Sequence, residues 1–273
     1  MTTSSPPKSD LSQFAADILR ELGEDAIETS LETLHHYGDH KLPGRDLPPA
    51  LVVFPASTEE VQAVVRLARV HGVKLNPIST GHNIGMGTRA SVESGQVTVD
   101  LGRRMNRILE INETLNYAVI EPGVTYAQLH DELCARGDRL MLDTTSGPPL
   151  GGPLGNTLDK GAGYTPAGDH FGNSCGLEVV LADGTVLRTG DGATGRQHLA
   201  SVQVRIGSVP RWSVPAIQHG DRDQNGCVAT RATESYSRIR LLLSTRRRPR
   251  GDHGAGTPDQ ALQLGTHRDQ GDQ

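Results

Sequence analysis

The chain has 273 residues, enough for one large or two ordinary domains, but 32 Gly and 16 Pro with only 3% aromatic residues predict a core smaller than that length suggests. The formal charge of -5 hides two regimes: residues 1–193 carry 15 Lys+Arg against 25 Asp+Glu, whereas residues 194–273 carry 12 Arg, no Lys and 7 Asp+Glu. No apolar run approaches the roughly 18 residues of a membrane span, the N-terminus has no signal-peptide pattern, and three cysteines (Cys134, Cys175, Cys227) without a CxxC exclude a disulfide framework and a cysteine-rich zinc site.

In chain order, Leu11, Phe14, Ile18 and Leu22 fall at helical spacing, so residues 11–34 predict one or two amphipathic helices. His35, His36 and His40 with Asp39 match no standard metal spacing and read as a solvated loop. Ala50–Phe54 is a short apolar strand. Ser57-Thr-Glu-Glu60 is a capping box opening a helix through Val61, Val64, Val65 and Ala68, which Gly72 stops. Val73–Ile78 is a second strand, and strand–helix–strand at this spacing predicts a parallel crossover. Gln96–Leu101 is a third strand. Ile108–Ile111 and Tyr117–Glu121 pair around Asn112–Asn116. Thr125-Tyr-Ala-Gln128 caps a further helix through Leu129 and Leu133, and Leu177–Ala182 with Thr185–Thr189 form a hairpin on Asp183-Gly184.

Two glycine-rich loops carry the chemistry. Pro77–Gly87 follows a strand; Gly81, Gly85 and Gly87 permit close backbone approach to a ligand, and Ser79, Thr80 and Asn83 add donors. Successive N–H groups in such a turn form an anion-binding concavity that suits a pyrophosphate. The loop lacks the Lys of a Walker motif and does not open a helix as a Rossmann fingerprint does. The second loop, Gly147–Gly168, holds seven Gly in 22 residues. Two separated loops suit a long dinucleotide better than a single phosphate.

Five segments, PASTEEVQAVVRLA (55–68), PISTGHNIGMG (77–87), VIEPGVTYAQLH (119–130), GPPLGGPLGNTLDKGAGYTPAGDHFG (147–172) and LEVVLADGTVLRTGDGA (177–193), make Leu47–Ala193 resemble the FAD-binding domain of the vanillyl-alcohol oxidase and p-cresol methylhydroxylase family. The form of the fourth segment is most similar to the 4-cresol dehydrogenase and eugenol hydroxylase branch. The resemblance implies an α+β fold of two small packed α/β subdomains, preceded by a helical segment (1–46) and followed by a low-order tail (194–273). It implies FAD as cofactor, held by Ser79, Thr80, Gly81, His82, Asn83, Gly85, Gly87, Pro122, Gly123, Gly155, Asn156, Gly161, Gly163 and His170. It further implies oxidation of 4-alkylphenols by hydride transfer from the para-benzylic carbon, with Tyr126 holding the phenolate and a cytochrome c-type electron acceptor as partner. The expected setting is the cytoplasm, with the periplasm as alternative.

The resemblance stops after Ala193, in the middle of a family motif. Shifted by one base, with only the former wobble base free, Gln203–Cys227 can be read as a segment of the family's next pattern, YGFGPY…LF.QSN.GIVTKMG. The all-Arg, no-Lys tail fits an out-of-frame reading of GC-rich DNA. Under that reading the substrate domain is not encoded in frame, and the alternative to an active dehydrogenase is a non-catalytic flavin-binding fragment or pseudogene product. The run Arg246–Arg250 has no interleaved aromatics and reads as a solvated charge run, so a nucleic-acid partner ranks last.

Overall fold

The computed structural model describes residues 10–39, 46–82, 89–137, 140–165, 168–189, 235–242 and 244–245. The N-terminal lobe starts with α1 (Leu11–Leu22), capped by the Asp10 side chain. A single helical turn leads into β1 (Ile27–Glu28), and α2 (Leu31–Gly38) follows, capped by Ser30. Then come β2 (Leu51–Val53), α3 (Thr58–His71), β3 (Leu75–Ile78) and β4 (Val97–Asp100). These strands form one sheet in the order β1-β2-β4-β3, with β2, β4 and β3 parallel and β1 antiparallel.

The Ser57 hydroxyl caps α3 as expected, accepting the Glu60 N–H at 3.2 Å, but the Glu60 carboxylate accepts the N–H of Ala56, the residue before the cap, at 2.8 Å. Gly72 ends it in the left-handed region, at φ 64°. The period-2 rule sorts β2 between two cores. Leu51 and Val53 join Phe14, Ile18, Val61, Val64, Val97 and Val99 on one face, and Val52 meets Tyr37 and Phe54 on the other.

The second lobe comprises β5 (Ile108–Asn112), β6 (Tyr117–Ile120), α4 (Tyr126–Ala135), β7 (Leu140–Met141), α5 (Pro153–Leu158), β8 (Ser174–Val180) and β9 (Val186–Arg188). Thr125 caps α4 as expected, but Gln128 does not reach back; its side-chain amide donates to the Asn106 carbonyl at 2.8 Å. α4 and α5 cover the sheet through Leu129, Leu133, Leu154, Ile120 and Val179. β8 lies between the two cores, with Val179 in this one and Val180 in the first.

Within the tail beyond residue 193, two short segments are described. Ser235–Leu242 (β10) is the central strand of a five-stranded antiparallel sheet ordered β5-β6-β10-β8-β9, and Ser244–Thr245 (β11) pairs with β7. Few long-range contacts were expected beyond Thr194, yet this segment makes two ladders. Its sequence, SYSRIRLL, alternates polar and apolar residues through Arg238-Ile-Arg-Leu241, which suits a strand. The physical reason is unmet pairing: without a strand here the β5–β6 and β8–β9 hairpins would each present a bare inner edge. The remainder of 190–273 lies outside the described residues.

Candidate functional site

The site forms where three backbone segments meet at the ends of β3, β4 and β6. Beyond β3, Gly81 turns at φ +67° and the His82 N–H approaches the Thr80 hydroxyl at 3.5 Å. Beyond β4, a Cβ on Gly102 would overlap the Ser79 carbonyl; beyond β6, one on Gly123 would overlap the Gly102 carbonyl. Only glycines permit this stack of Ser79, Gly102 and Gly123, which brings Pro122–Gly123 to the first glycine-rich loop. Asp100 braces the middle layer. Its carboxylate accepts the Gly102 and Arg103 N–H groups at 2.9 and 3.1 Å and the Tyr37 hydroxyl at 2.5 Å, while burial pushes its carboxyl above the usual range.

The second loop closes on the first. Gly151 and Pro149 carbonyls accept the N–H groups of Tyr126 and Ala127, both at 2.9 Å, tying the loop to the start of α4. A Cβ on Gly152 would sit 2.8 Å from Thr80 Cγ2, and one on Gly155 2.8 Å from the Ser79 hydroxyl. Ser79 and Thr80 are thus in contact with the opening turn of α5, whose N-cap, Gly152, supplies no side-chain cap. One residue further along α5, Asn156 turns to a different set of partners. Its carbonyl accepts the Gly161 N–H at 2.8 Å, and its side-chain oxygen lies 2.5 Å from His170 Nδ1. Gly163 packs against the Asp143 carboxylate, which accepts the Tyr164 and Thr165 N–H groups at 3.2 and 3.3 Å.

Of the residues singled out in the sequence, the structure therefore joins Ser79, Thr80, Gly81, Pro122, Gly123 and Gly155 in one group. Asn156, Gly161, Gly163 and His170 form a second group, and α5 links the two. His82 is exposed at the edge; Asn83, Gly85 and Gly87 lie outside the described residues. Tyr126 is 7% exposed beside the second loop, and its hydroxyl hydrogen-bonds to no described residue. Burial, and then the Asp143 charge, raise its phenol well above the usual range, so it stays a protonated donor. Asp143 and Gly152 were missed as site residues. The available signal was a lone acid ending the apolar run Leu140–Leu142, directly before the glycine-rich loop.

The donor set fits a dinucleotide. Ser79–His82 and Gly151–Asn156 offer hydroxyls and backbone amides and contain no carboxylate, which suits a pyrophosphate. Among the described residues no cluster of three or more His, Cys, Asp or Glu side chains could hold a metal. His35 pairs with Asp46 at 3.5 Å and His36 with Arg89; His40 lies outside the described residues. No helix among the described residues is long and apolar enough to cross a membrane.

A family model described as an FAD binding domain matches residues 49–190. The 4-cresol dehydrogenase [hydroxylating] flavoprotein subunit of Pseudomonas putida is 40% identical over 173 residues, 63% of this chain and 33% of that protein. The structure of 4-ethylphenol oxidase from Gulosibacter chungangensis superposes with a TM-score of 0.76 at 34% identity, over 89% of this chain and 45% of that one. That of p-cresol methylhydroxylase superposes with 0.76 at 31% identity, over 86% and 43%. The chain thus spans about a third of the curated relative and under half of the solved ones.

Proposed function

Because the chain belongs to the FAD binding domain family, whose cofactor is FAD, we propose that it is the cofactor-binding half of an oxidoreductase acting on 4-alkylphenols. The observation that carries this reading is the contact of Ser79 and Thr80 with Gly152 and Gly155, two glycine-rich loops converging beside a buried tyrosine. The pyrophosphate of FAD would be held by Ser79, Thr80 and the amides opening α5, and the rest of the cofactor by Pro122–Gly123, Asn156 and the Gly161–His170 segment.

Bound FAD supplies a hydride acceptor. The chain's own contribution is orientation and charge. Tyr126, kept protonated by burial and by Asp143, donates to the oxygen of a para-substituted phenol. Stabilising that oxygen as a phenolate makes the para-benzylic carbon a better hydride donor. Loss of hydride leaves a quinone methide, which water traps at the benzylic carbon. A cytochrome c-type protein is the partner that would then receive the electrons.

A second reading rests on the tail. The composition break after residue 193, and the family pattern recovered by a one-base shift, support an out-of-frame origin for residues 194–273. In that case the groups that cover the flavin in full-length relatives are not encoded in frame, and the chain is a flavin-binding fragment. Hydride transfer needs fixed geometry and excluded water, so the fragment should bind FAD without turnover. Anaerobic mixing of the FAD-loaded chain with 4-cresol separates the two readings. Rapid loss of flavin absorbance, abolished by Tyr126→Phe, supports the enzyme; binding without bleaching supports the fragment; absence of FAD binding overturns both. Sequencing the DNA beyond codon 193 tests the frame directly.

A further inference from the structure

Helix α2 lies ahead of every residue proposed to hold FAD, yet two of its consecutive side chains, His36 and Tyr37, end on the segments that carry the first glycine-rich loop. The Tyr37 hydroxyl donates to Asp100 Oδ2 at 2.5 Å, and both residues are 8% exposed. The other Asp100 oxygen, Oδ1, accepts the Gly102 and Arg103 N–H groups. Asp100 also pairs in register with Ile78, the residue before Ser79, and the Leu101 N–H donates to the Ile78 carbonyl at 3.0 Å. From the same turn, the Met105 carbonyl accepts the Gly123 N–H at 2.8 Å, and Arg104 Nη1 donates to the Phe54 carbonyl at 2.8 Å. The turn after β4 thus fastens the ends of β2, β3 and β6, and the Asp100 side chain fixes its amides. His36 Nε2 contacts Arg89 Nη1, and Arg89 Cβ lies 3.5 Å from where a Cβ on Gly81 would stand.

We propose that Tyr37 and Asp100 are positioning residues for the cofactor site: the Tyr37 hydroxyl locks the Asp100 carboxylate, and the carboxylate holds the turn that sets Ser79 and Gly123 against Gly102. The role rests on the proposed binding of FAD, and both side chains act through the backbone of Gly102. Removing the hydroxyl leaves Asp100 Oδ2 buried without its partner, at the full cost of desolvation. The carboxylate regains a partner by turning, and turning takes Oδ1 from the two amides. The stack has little slack: a Cβ on Gly102 would stand 2.3 Å from the Ser79 carbonyl oxygen, so a shift of the turn is felt at Ser79. Tyr37 is held in place by packing. Its ring lies 6.4 Å from that of Phe54 in a core with Val52, and Leu34 and Ile78 pack against that core. Tyr37→Phe therefore removes the bond and keeps the packing.

The test is the FAD affinity of the full-length chain, read by flavin fluorescence, together with amide hydrogen exchange of the same chain without FAD. Tyr37→Phe should weaken FAD binding about tenfold, the worth of one hydrogen bond to a charged oxygen, and should speed exchange at the Gly102, Arg103 and Gly123 amides. In Asp100→Asn the amide oxygen keeps the Gly102 and Arg103 N–H groups and the amide nitrogen donates to the Tyr37 oxygen, so affinity should stay within about threefold. Tyr117→Phe is the control: it removes a hydroxyl–carboxylate bond of the same length, 2.5 Å to Glu110, in the second lobe, and should change neither readout. Tyr37→Phe binding FAD like the unaltered chain, or losing no more affinity than Tyr117→Phe, would overturn the proposal. Should the unaltered chain take up no FAD, the flavin reading fails and exchange decides alone. Faster exchange confined to the turn and Gly123 then supports the brace; unchanged or uniformly faster exchange overturns it.

Discussion

Three buried or half-buried acids show how one residue type takes different roles. Asp100 is a turn brace, Asp143 a loop anchor, and Asp17 a link between helices. Asp17 on α1 accepts from His71 at the end of α3 at 2.8 Å, and that bond holds its carboxyl below the usual range. A carboxyl whose folded value lies below its unfolded one contributes stability that is present above the unfolded value and lost as pH falls through the folded one. The unfolding midpoint should therefore drop as pH falls below about 4, and Asp17→Asn should flatten that part of the curve. Equal acid slopes for both proteins would dismiss the link. Tyr126 tests the proposed chemistry at the same scale. Its hydroxyl has no described hydrogen-bond partner, so Tyr126→Phe should change stability by less than about 1 kcal/mol. Affinity of the FAD-loaded chain for 4-cresol should nevertheless fall about tenfold, roughly the worth of one hydrogen bond to a charged oxygen. Unchanged affinity, read by difference spectroscopy, would remove Tyr126 from the substrate site.

Among the elements, β10 carries the least expected consequence. It pairs with β6 through Ile239–Leu242 and with β8 through Ser235–Leu241, so among the described strands it is the one that joins the two hairpins of the second lobe. A chain ended after Ala193 would leave two inner edges with unpaired N–H and C=O groups, a template for association. Such a truncation should lose cooperative unfolding or elute as an aggregate, whereas a chain ended after Arg250 should match the full-length protein. A monomeric, equally stable 1–193 protein would show that β6 and β8 do without the strand. The short α5 has the opposite weighting: six residues long, it joins Ser79 on one side to His170 on the other.

For the whole molecule the question is what couples the lobes. Thr58, at the start of α3, donates to buried Glu178 on β8 at 2.9 Å, and Arg188 on β9 donates to the same carboxylate at 2.7 Å. Gln62 reaches the Gly184 carbonyl at 2.6 Å. The residues proposed to hold FAD are divided between the lobes, with Ser79 and Thr80 on one and Gly155, Asn156 and His170 on the other. A dinucleotide bridging them should stabilise both together. At FAD a hundredfold above its dissociation constant, mass action contributes about 2.7 kcal/mol. One cooperative unfolding transition should move up by several degrees; a shift confined to one of two resolved transitions would show that only one lobe holds FAD.

Periodicity, caps and turn residues were local signals, and they were enough for β2, α3, β3, the β5–β6 hairpin and α4. In α3 one face is apolar at the helical repeat and a specific residue, Gly72, ends it. In the described part of the second glycine-rich loop, glycine stands where a Cβ has no room, as at Gly152, Gly155 and Gly161. Three features were decided by the tertiary structure alone. Asp143 lies against Gly163 because β7 delivers it there, a placement its neighbours in sequence do not encode. Strand β10 is set by two hairpins that need a partner, against a composition that argued for little order. The order β2-β4-β3 follows from where a third strand can pair, because β4 comes last in sequence yet enters between the first two. Local chemistry selects elements and their ends; long-range pairing and burial select which of them meet.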